Sequence, residues 1–202
     1  MPQRPLLRVL LLAVLPALLV YVLALLLSAA AGIQTQLVIR DLAQTCDTAL
    51  GVGFLSNLGY LLWISAAAIA LFAALAGVVP LRGRVRQLLL CGGAFSLLLC
   101  LDDMFLLHDR YIGSTFLYSL YAVFALLILF RFRRQVQALG GGSFLLAVAL
   151  LGLSVLIDQF QELIPVPYTR LQLVEEGAKF LGIATWLAFW SQAAAGAGKL
   201  KA

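Results

Sequence analysis

The chain has 202 residues, of which 63% are hydrophobic and 11% charged, with a mean hydropathy of +1.04 and a formal net charge of +5. That composition excludes an ordinary soluble domain, and no polar stretch exceeds about 20 residues, too short to bury a core of its own. Nucleic acid is not an expected partner: the basic residues sit in short gaps between apolar runs and lack the interleaved aromatic residues of a single-strand binder.

The apolar runs predict an all-α, polytopic membrane protein. Six spans are expected at about Leu6–Ala30, Phe54–Val79, Val85–Leu107, Ser114–Phe132, Phe144–Leu163 and Leu171–Trp190, each near the ~20 residues that cross a bilayer. Runs this long lack the alternation of barrel strands, so helices are the expectation. Arg4 and Arg8 ahead of a Leu-rich run, with Ala29, Ala30 and Ala31 behind it, resemble a secretory signal. The run from Leu6 to Leu27, about 22 residues, is longer than a signal's apolar region. It is therefore read as a retained helix, with Pro16 tolerated inside it or kinking it.

Residues 32–53 form the longest gap. Leu37, Val38, Leu42 and Cys46 recur there at helical spacing, which predicts a short helix lying on the membrane surface. Pro80 and Gly83, Gly140 to Gly142, and Pro165 with Pro167 punctuate later gaps. In the third run Gly92, Ser96 and Cys100 form a small-residue stripe suited to close helix packing. Cys46 and Cys100 are a candidate disulfide in an oxidising outer compartment.

Charge sets the expected orientation. Arg4 and Arg8, then Arg82, Arg84 and Arg86, then Arg131, Arg133 and Arg134, then Lys199 and Lys201 occupy alternate gaps. Basic residues resist translocation, so these gaps and both termini should be cytoplasmic. All nine acidic residues and the single His fall at the other gaps: Asp41, Asp47, Asp102, Asp103, Asp109, Asp158, Glu162, Glu175, Glu176 and His108. The expected location is a bacterial inner membrane, with acids gathered at the outer face. Carboxylates at membrane depth are costly and mark functional sites.

Three polar clusters follow. At the exit of the third run are Asp102, Asp103, His108, Asp109 and Arg110. On a continuous helix Asp102 and Asp109 share a face and His108 points elsewhere, so Asp103 and His108 converge only if the helix bends near Leu107. In the fifth run Asp158 and Glu162 are four apart on one face, with Ser154 a turn further in. In the sixth, Glu175 and Lys179 are four apart in the favourable order, next to Glu176. Asp102, Asp103, Asp158, Glu175, Glu176 and Lys179 are the candidate catalytic residues. Asp103, His108, Asp158 and Glu176 are the candidate ligands of a divalent metal, which would activate water with a spare carboxylate as base.

The segments Leu-Asp-Asp-Met-Phe-Leu-Leu-His-Asp (101–109) and Glu-Glu-Gly-Ala-Lys-Phe-Leu-Gly (175–182), followed by Trp186, resemble an uncharacterised family of small bacterial polytopic inner-membrane proteins. That resemblance implies a layout and no particular activity. Glu175, Glu176 and Lys179 also resemble the Glu-Glu-x-x-Lys motif of PrsW-type membrane proteases. In that family the motif lies in an early helix with a His-bearing helix after it; here it is in the last run and no His follows.

The chain has no His-Glu-x-x-His, Gly-x-Ser-x-Gly, phosphate-loop or Cys-x-x-Cys motif. Three functions stay open on the sequence: a metal-dependent enzyme acting on a lipid or lipid-linked substrate, a non-catalytic assembly or binding subunit held by buried ion pairs, and proton- or cation-linked transport. Membrane lipid is the expected partner in each.

Overall fold

The computed structural model describes residues 11, 14–39, 45–49, 51–77 and 83–197. Arg4, Arg8, Asp41, Leu42, Pro80, Arg82, Lys199 and Lys201, and the first residues of the expected first span, lie outside them. The described residues are helical, with no strand among them. By contact the chain divides into two compact units, Met1–Val52 and Gly53–Ala202.

In the first unit, α1 spans Leu15–Ala30 and α2 spans Thr35–Ile39. Pro16 falls in the first turn of α1, a position that tolerates its fixed φ and its missing N–H. At the other end of α1 Ser28 returns its hydroxyl to the Leu25 carbonyl at 2.9 Å. α2 supplies a short helix within the long gap, and Leu37, Val38 and Ile39 on it are exposed. Cys46, Cys91 and Cys100 are all free, so the candidate Cys46–Cys100 bridge is not formed.

The second unit holds α3 (Phe54–Leu75), α4 (Arg84–Phe105), the single turn α5 (Leu107–Arg110), α6 (Ser114–Arg131), α7 (Arg133–Phe160) with a 3-10 turn at Gln161–Leu163, and α8 (Tyr168–Gly196). Among the described residues four stretches are long and apolar enough to cross a membrane: Phe54–Leu75, Arg84–Phe105, Ser114–Arg131 and Arg133–Leu163. α8 is 29 residues long and has the length, but it carries Glu175, Glu176 and Lys179, which lower its hydropathy. α1 is apolar but has only 16 described helical residues, about 24 Å at 1.5 Å per residue.

α8 packs mainly on α7 and α3, and α3 packs along α4. Small residues permit the close approaches. A Cβ on Gly92 would lie 1.8 Å from the Trp190 ring, and one on Gly93 would lie 2.6 Å from Leu71. One on Gly182 would lie 2.8 Å from Leu151. The small-residue stripe of α4 therefore seats α8 and α3, with Ser96 accepting the Trp186 indole N–H at 2.8 Å and the Cys100 thiol facing the Tyr60 carbonyl at 3.7 Å. Trp186 is the aromatic centre of the unit, in edge contact with Trp63, Phe95 and Trp190. The outward faces are apolar as well: Leu61, Phe72, Phe116, Leu127, Phe130 and Leu145 are exposed. Exposed apolar surface on this scale fits helices solvated by lipid rather than water.

Turns bring the helix ends together. Arg86 donates from Nε to the Ala74 carbonyl at 2.9 Å, tying the start of α4 to the end of α3. Only Phe132 separates α6 from α7, and α7 is kinked at Gly140, whose φ of 125° is open to glycine but strained for other residues. The run of three glycines thus bends a helix instead of ending one.

Candidate functional site

A cavity of about 410 Å³ opens among the ends of α4, α6, α7 and α8. Asp102, Asp103, His108, Asp109, Asp158, Glu175, Glu176 and Lys179 all line it, so the three clusters recognised in sequence meet in one place. Their interior neighbours are aromatic and aliphatic, including Trp63, Phe95, Tyr118, Tyr121 and Trp186.

The geometry at the rim begins with the end of α4. The helix stops at Phe105 because Leu106 takes a left-handed conformation, φ 52° and ψ 44°. A non-glycine residue there costs about 1–3 kcal/mol and persists where its surroundings hold it. The reversal brings His108 back over the last turn of α4. Its backbone N–H donates to Asp102 Oδ1 at 2.9 Å, and its ring Nδ1 lies 2.9 Å from Asp102 Oδ2. On the sequence His108 meets Asp103 only through such a bend; the bend is present, but the partner is Asp102. Asp102 is buried, and the His108 side chain is 10% exposed.

With Asp102 accepting through both oxygens, the proton belongs on Nδ1, leaving Nε2 as the free ring nitrogen. The hydrogen bond to Asp102 raises the His108 pKa above its ordinary 6.5, against the opposing effect of burial. Nε2 lies 3.5 Å from the exposed Asp109 carboxylate, and the imidazole sits against the Tyr118 ring with centroids 5.2 Å apart.

The second pair crosses between helices. Lys179 of α8 donates from Nζ to Asp103 Oδ1 of α4. The sequence spacing paired Lys179 with Glu175 inside one helix; the ammonium turns to Asp103 because that carboxylate is buried and has more to gain from a cation than half-buried Glu175. Glu176 is exposed and lies at the rim.

Asp158 is placed by a polar latch. Gln159 accepts from the Thr115 hydroxyl at 2.7 Å and donates to Ser114 Oγ at 3.2 Å and to Asp158 Oδ2 at 3.1 Å, joining the start of α6 to the end of α7. Buried Ser154 lines the cavity one turn below Asp158, as its spacing predicted. Glu162 does not join them: α7 gives way to a 3-10 turn at Gln161, which rotates Glu162 off the Asp158 face and leaves it exposed.

The candidate metal ligands are not gathered into one group. Asp103, His108, Asp158 and Glu176 line the cavity, but among the described residues no three His, Cys, Asp or Glu side chains gather closely enough to hold an ion. Two of the four are already engaged, Asp103 by Lys179 and His108 by Asp102.

Two groups of the cavity wall escaped the sequence reading. The Trp63 indole N–H is buried and has no hydrogen-bond partner among the described residues, and the Tyr121 hydroxyl is buried beside the Asp102 carboxylate. Both residues line the cavity. In sequence they are aromatic residues in apolar helices, indistinguishable by periodicity from packing residues. A buried donor without a partner is costly, and a donor beside a cavity is relieved by a ligand that brings an acceptor.

No curated protein sequence and no solved structure matches the chain. A family model described as "Domain of unknown function (DUF8692)" matches residues 10–193, a range that contains every cavity residue named above, and the chain belongs to that family.

Proposed function

We propose that the chain is a six-span protein of a bacterial inner membrane, with both termini cytoplasmic, and that the carboxylate-rich cavity faces the outer leaflet. There it performs acid–base chemistry on an amphipathic substrate, a lipid or a lipid-linked molecule. The observation that carries this reading is the doubly held His108–Asp102 pair at the rim of a cavity whose interior is aromatic and aliphatic. A polar reacting group would sit at the rim, and the apolar part of the same molecule below it. The charge alternation supports the orientation.

In this role His108 is the general base. Nε2 takes a proton from a substrate hydroxyl or from water, and Asp102 stabilises the imidazolium that results while fixing the ring's orientation. The Tyr121 hydroxyl and Trp63 N–H donate to an acceptor atom of the substrate deeper in the cavity. Lys179 and Asp103 hold α4 to α8 and so keep the wall in place.

The Asp103–Lys179 pair also favours a second reading, in which the buried groups only specify helix packing. The aromatic layer of Trp63, Phe95 and Trp186 beneath the carboxylates counts against a continuous ion path. Comparing the membrane lipids and lipid-linked intermediates of cells producing the wild type, His108→Gln or Asp102→Asn tests the enzymatic reading. It requires a change in at least one such pool that the wild type causes and both variants abolish. Identical profiles from all three proteins, each present at the same level, would leave the packing role in its place.

A further inference from the structure

We infer that the opposite end of the second unit is a binding site for the phosphate-bearing headgroup of an anionic phospholipid. Arg84 at the start of α4, Arg131 at the end of α6, and Arg133 and Arg134 at the start of α7 line one cavity of about 370 Å³, together with Phe130 and Gln135. No carboxylate is part of its lining, and among the described residues these four guanidinium groups have no ion-pair partner.

Orientation in the membrane requires only that basic residues lie in this gap. It does not require residues from three helices to converge on one concavity, where like charges repel. α4 adds to the positive potential, because it begins at Arg84 and the N-terminal end of a helix dipole is positive. Arginine at a helix N-terminus opposes the helix dipole, so Arg84 gains nothing there without an anion. Guanidinium forks match phosphate oxygens in paired hydrogen bonds.

The source of the phosphate is argued from Phe130. It is 71% exposed and lines the same cavity, offering an apolar wall that an acyl chain would cover and free phosphate would not. The level fits too. From Arg84 to Asp102 is one continuous helix of 18 steps, about 27 Å, close to the ~30 Å thickness of the hydrocarbon core. The arginines therefore stand at one headgroup layer when the carboxylates stand at the other; that this layer is the inner leaflet rests on the orientation proposed above, whereas the binding does not.

The test is native mass spectrometry of the protein purified from mixed micelles containing equal phosphatidylglycerol and phosphatidylcholine of the same chain length. Wild type should retain phosphatidylglycerol preferentially. Arg84→Gln/Arg133→Gln/Arg134→Gln should lose roughly a hundredfold in that preference, since each surface arginine contributes about fivefold. Arg110→Gln, at the other end of the unit, should lose none. Equal retention of the two lipids by wild type overturns the proposal without recourse to any variant, as does an unchanged preference in a triple variant that elutes and melts as wild type does. Thermal stabilisation by millimolar inorganic phosphate equal to that by phosphatidylglycerol would assign the site to a free anion and overturn the lipid.

Discussion

Asp102 holds His108 through both of its oxygens, one on the backbone N–H and one on the ring Nδ1, each at 2.9 Å. His108 is the only histidine in the chain, so its ring can be followed by NMR without assignment. Because the hydrogen bond to Asp102 lifts its pKa, titration should centre above the ordinary 6.5. The stabilisation from this pair is fully present below the unfolded pKa of about 6.5 and disappears as pH rises through the folded value. Under the proposed function catalysis runs the other way: a general base must be neutral, so turnover should rise as pH passes upward through that same raised value. Asp102→Asn should move both midpoints down. A midpoint that stays in place in the variant would show that Asp102 does not control the imidazole.

Lys179 and Asp103 form an ion pair between α8 and α4. Removing one partner strands the other in a poorly solvated site. Lys179→Met should therefore destabilise by about 3 kcal/mol, and Asp103→Asn by a similar or smaller amount. The double variant should lose less than the sum of the two. Thermal melts in one detergent, with wild type alongside, provide the cycle. Additive losses would mean that the two groups act separately.

The helical class and the grouping of acids at one end were legible in the sequence because they follow from run length and charge sign alone. The pairings were not. Lys179 lies one turn from Glu175 in the chain, and helical spacing favours that neighbour. Burial of Asp103, a property of α4 packed against α8, reverses the preference. His108 likewise depended on a left-handed Leu106, and nothing in the sequence marks a leucine for that conformation. Gly140 was legible as a breaker but not as a kink, since a glycine run permits both and helix contacts choose between them. Trp63 and Tyr121 stayed hidden because an aromatic side chain in an apolar run carries no sign of whether it faces lipid, core or cavity.

Helix contact makes glycines unequal. Gly92→Ala would drive a methyl group into the Trp190 ring at 1.8 Å, where nothing flexible can give way. A loss of about 1–3 kcal/mol is expected from overpacking. Gly177 of α8 has no neighbour within 4 Å of an added Cβ. Gly177→Ala should be neutral or stabilising by up to about 1 kcal/mol through helix propensity. If both variants melted together, the close approach of α4 and α8 would be in question.

The proposed orientation has a direct check in a cysteine-free background. A cysteine at Pro167, between α7 and α8, should react with an impermeant maleimide added to intact cells. One at Gly142, where an added side chain meets nothing within 4 Å, should react only after the cells are opened. Labelling of Gly142→Cys from outside would invert the arrangement and place the arginine cavity outside instead.

The buried donors of Tyr121 and Trp63 separate a binding cavity from a packing defect. Tyr121→Phe removes a hydroxyl that lies beside Asp102, and its effect on the unliganded protein is the same whether the cavity is a void or a binding site, so stability alone does not discriminate. Ligand binding does. Six carboxylates line the cavity against one lysine and one histidine, which disfavours anionic headgroups and favours neutral or ammonium-bearing ones. An amphiphile with a primary ammonium and an ester carbonyl should therefore raise the melting temperature of wild type, and a matched sulfate-headed amphiphile should not. Tyr121→Phe should weaken binding of the first roughly tenfold, as expected for a lost hydrogen bond of about 1.4 kcal/mol. Equal stabilisation by the two amphiphiles, or binding indifferent to Tyr121→Phe, would mean that neither the carboxylates nor the buried hydroxyl reads the substrate.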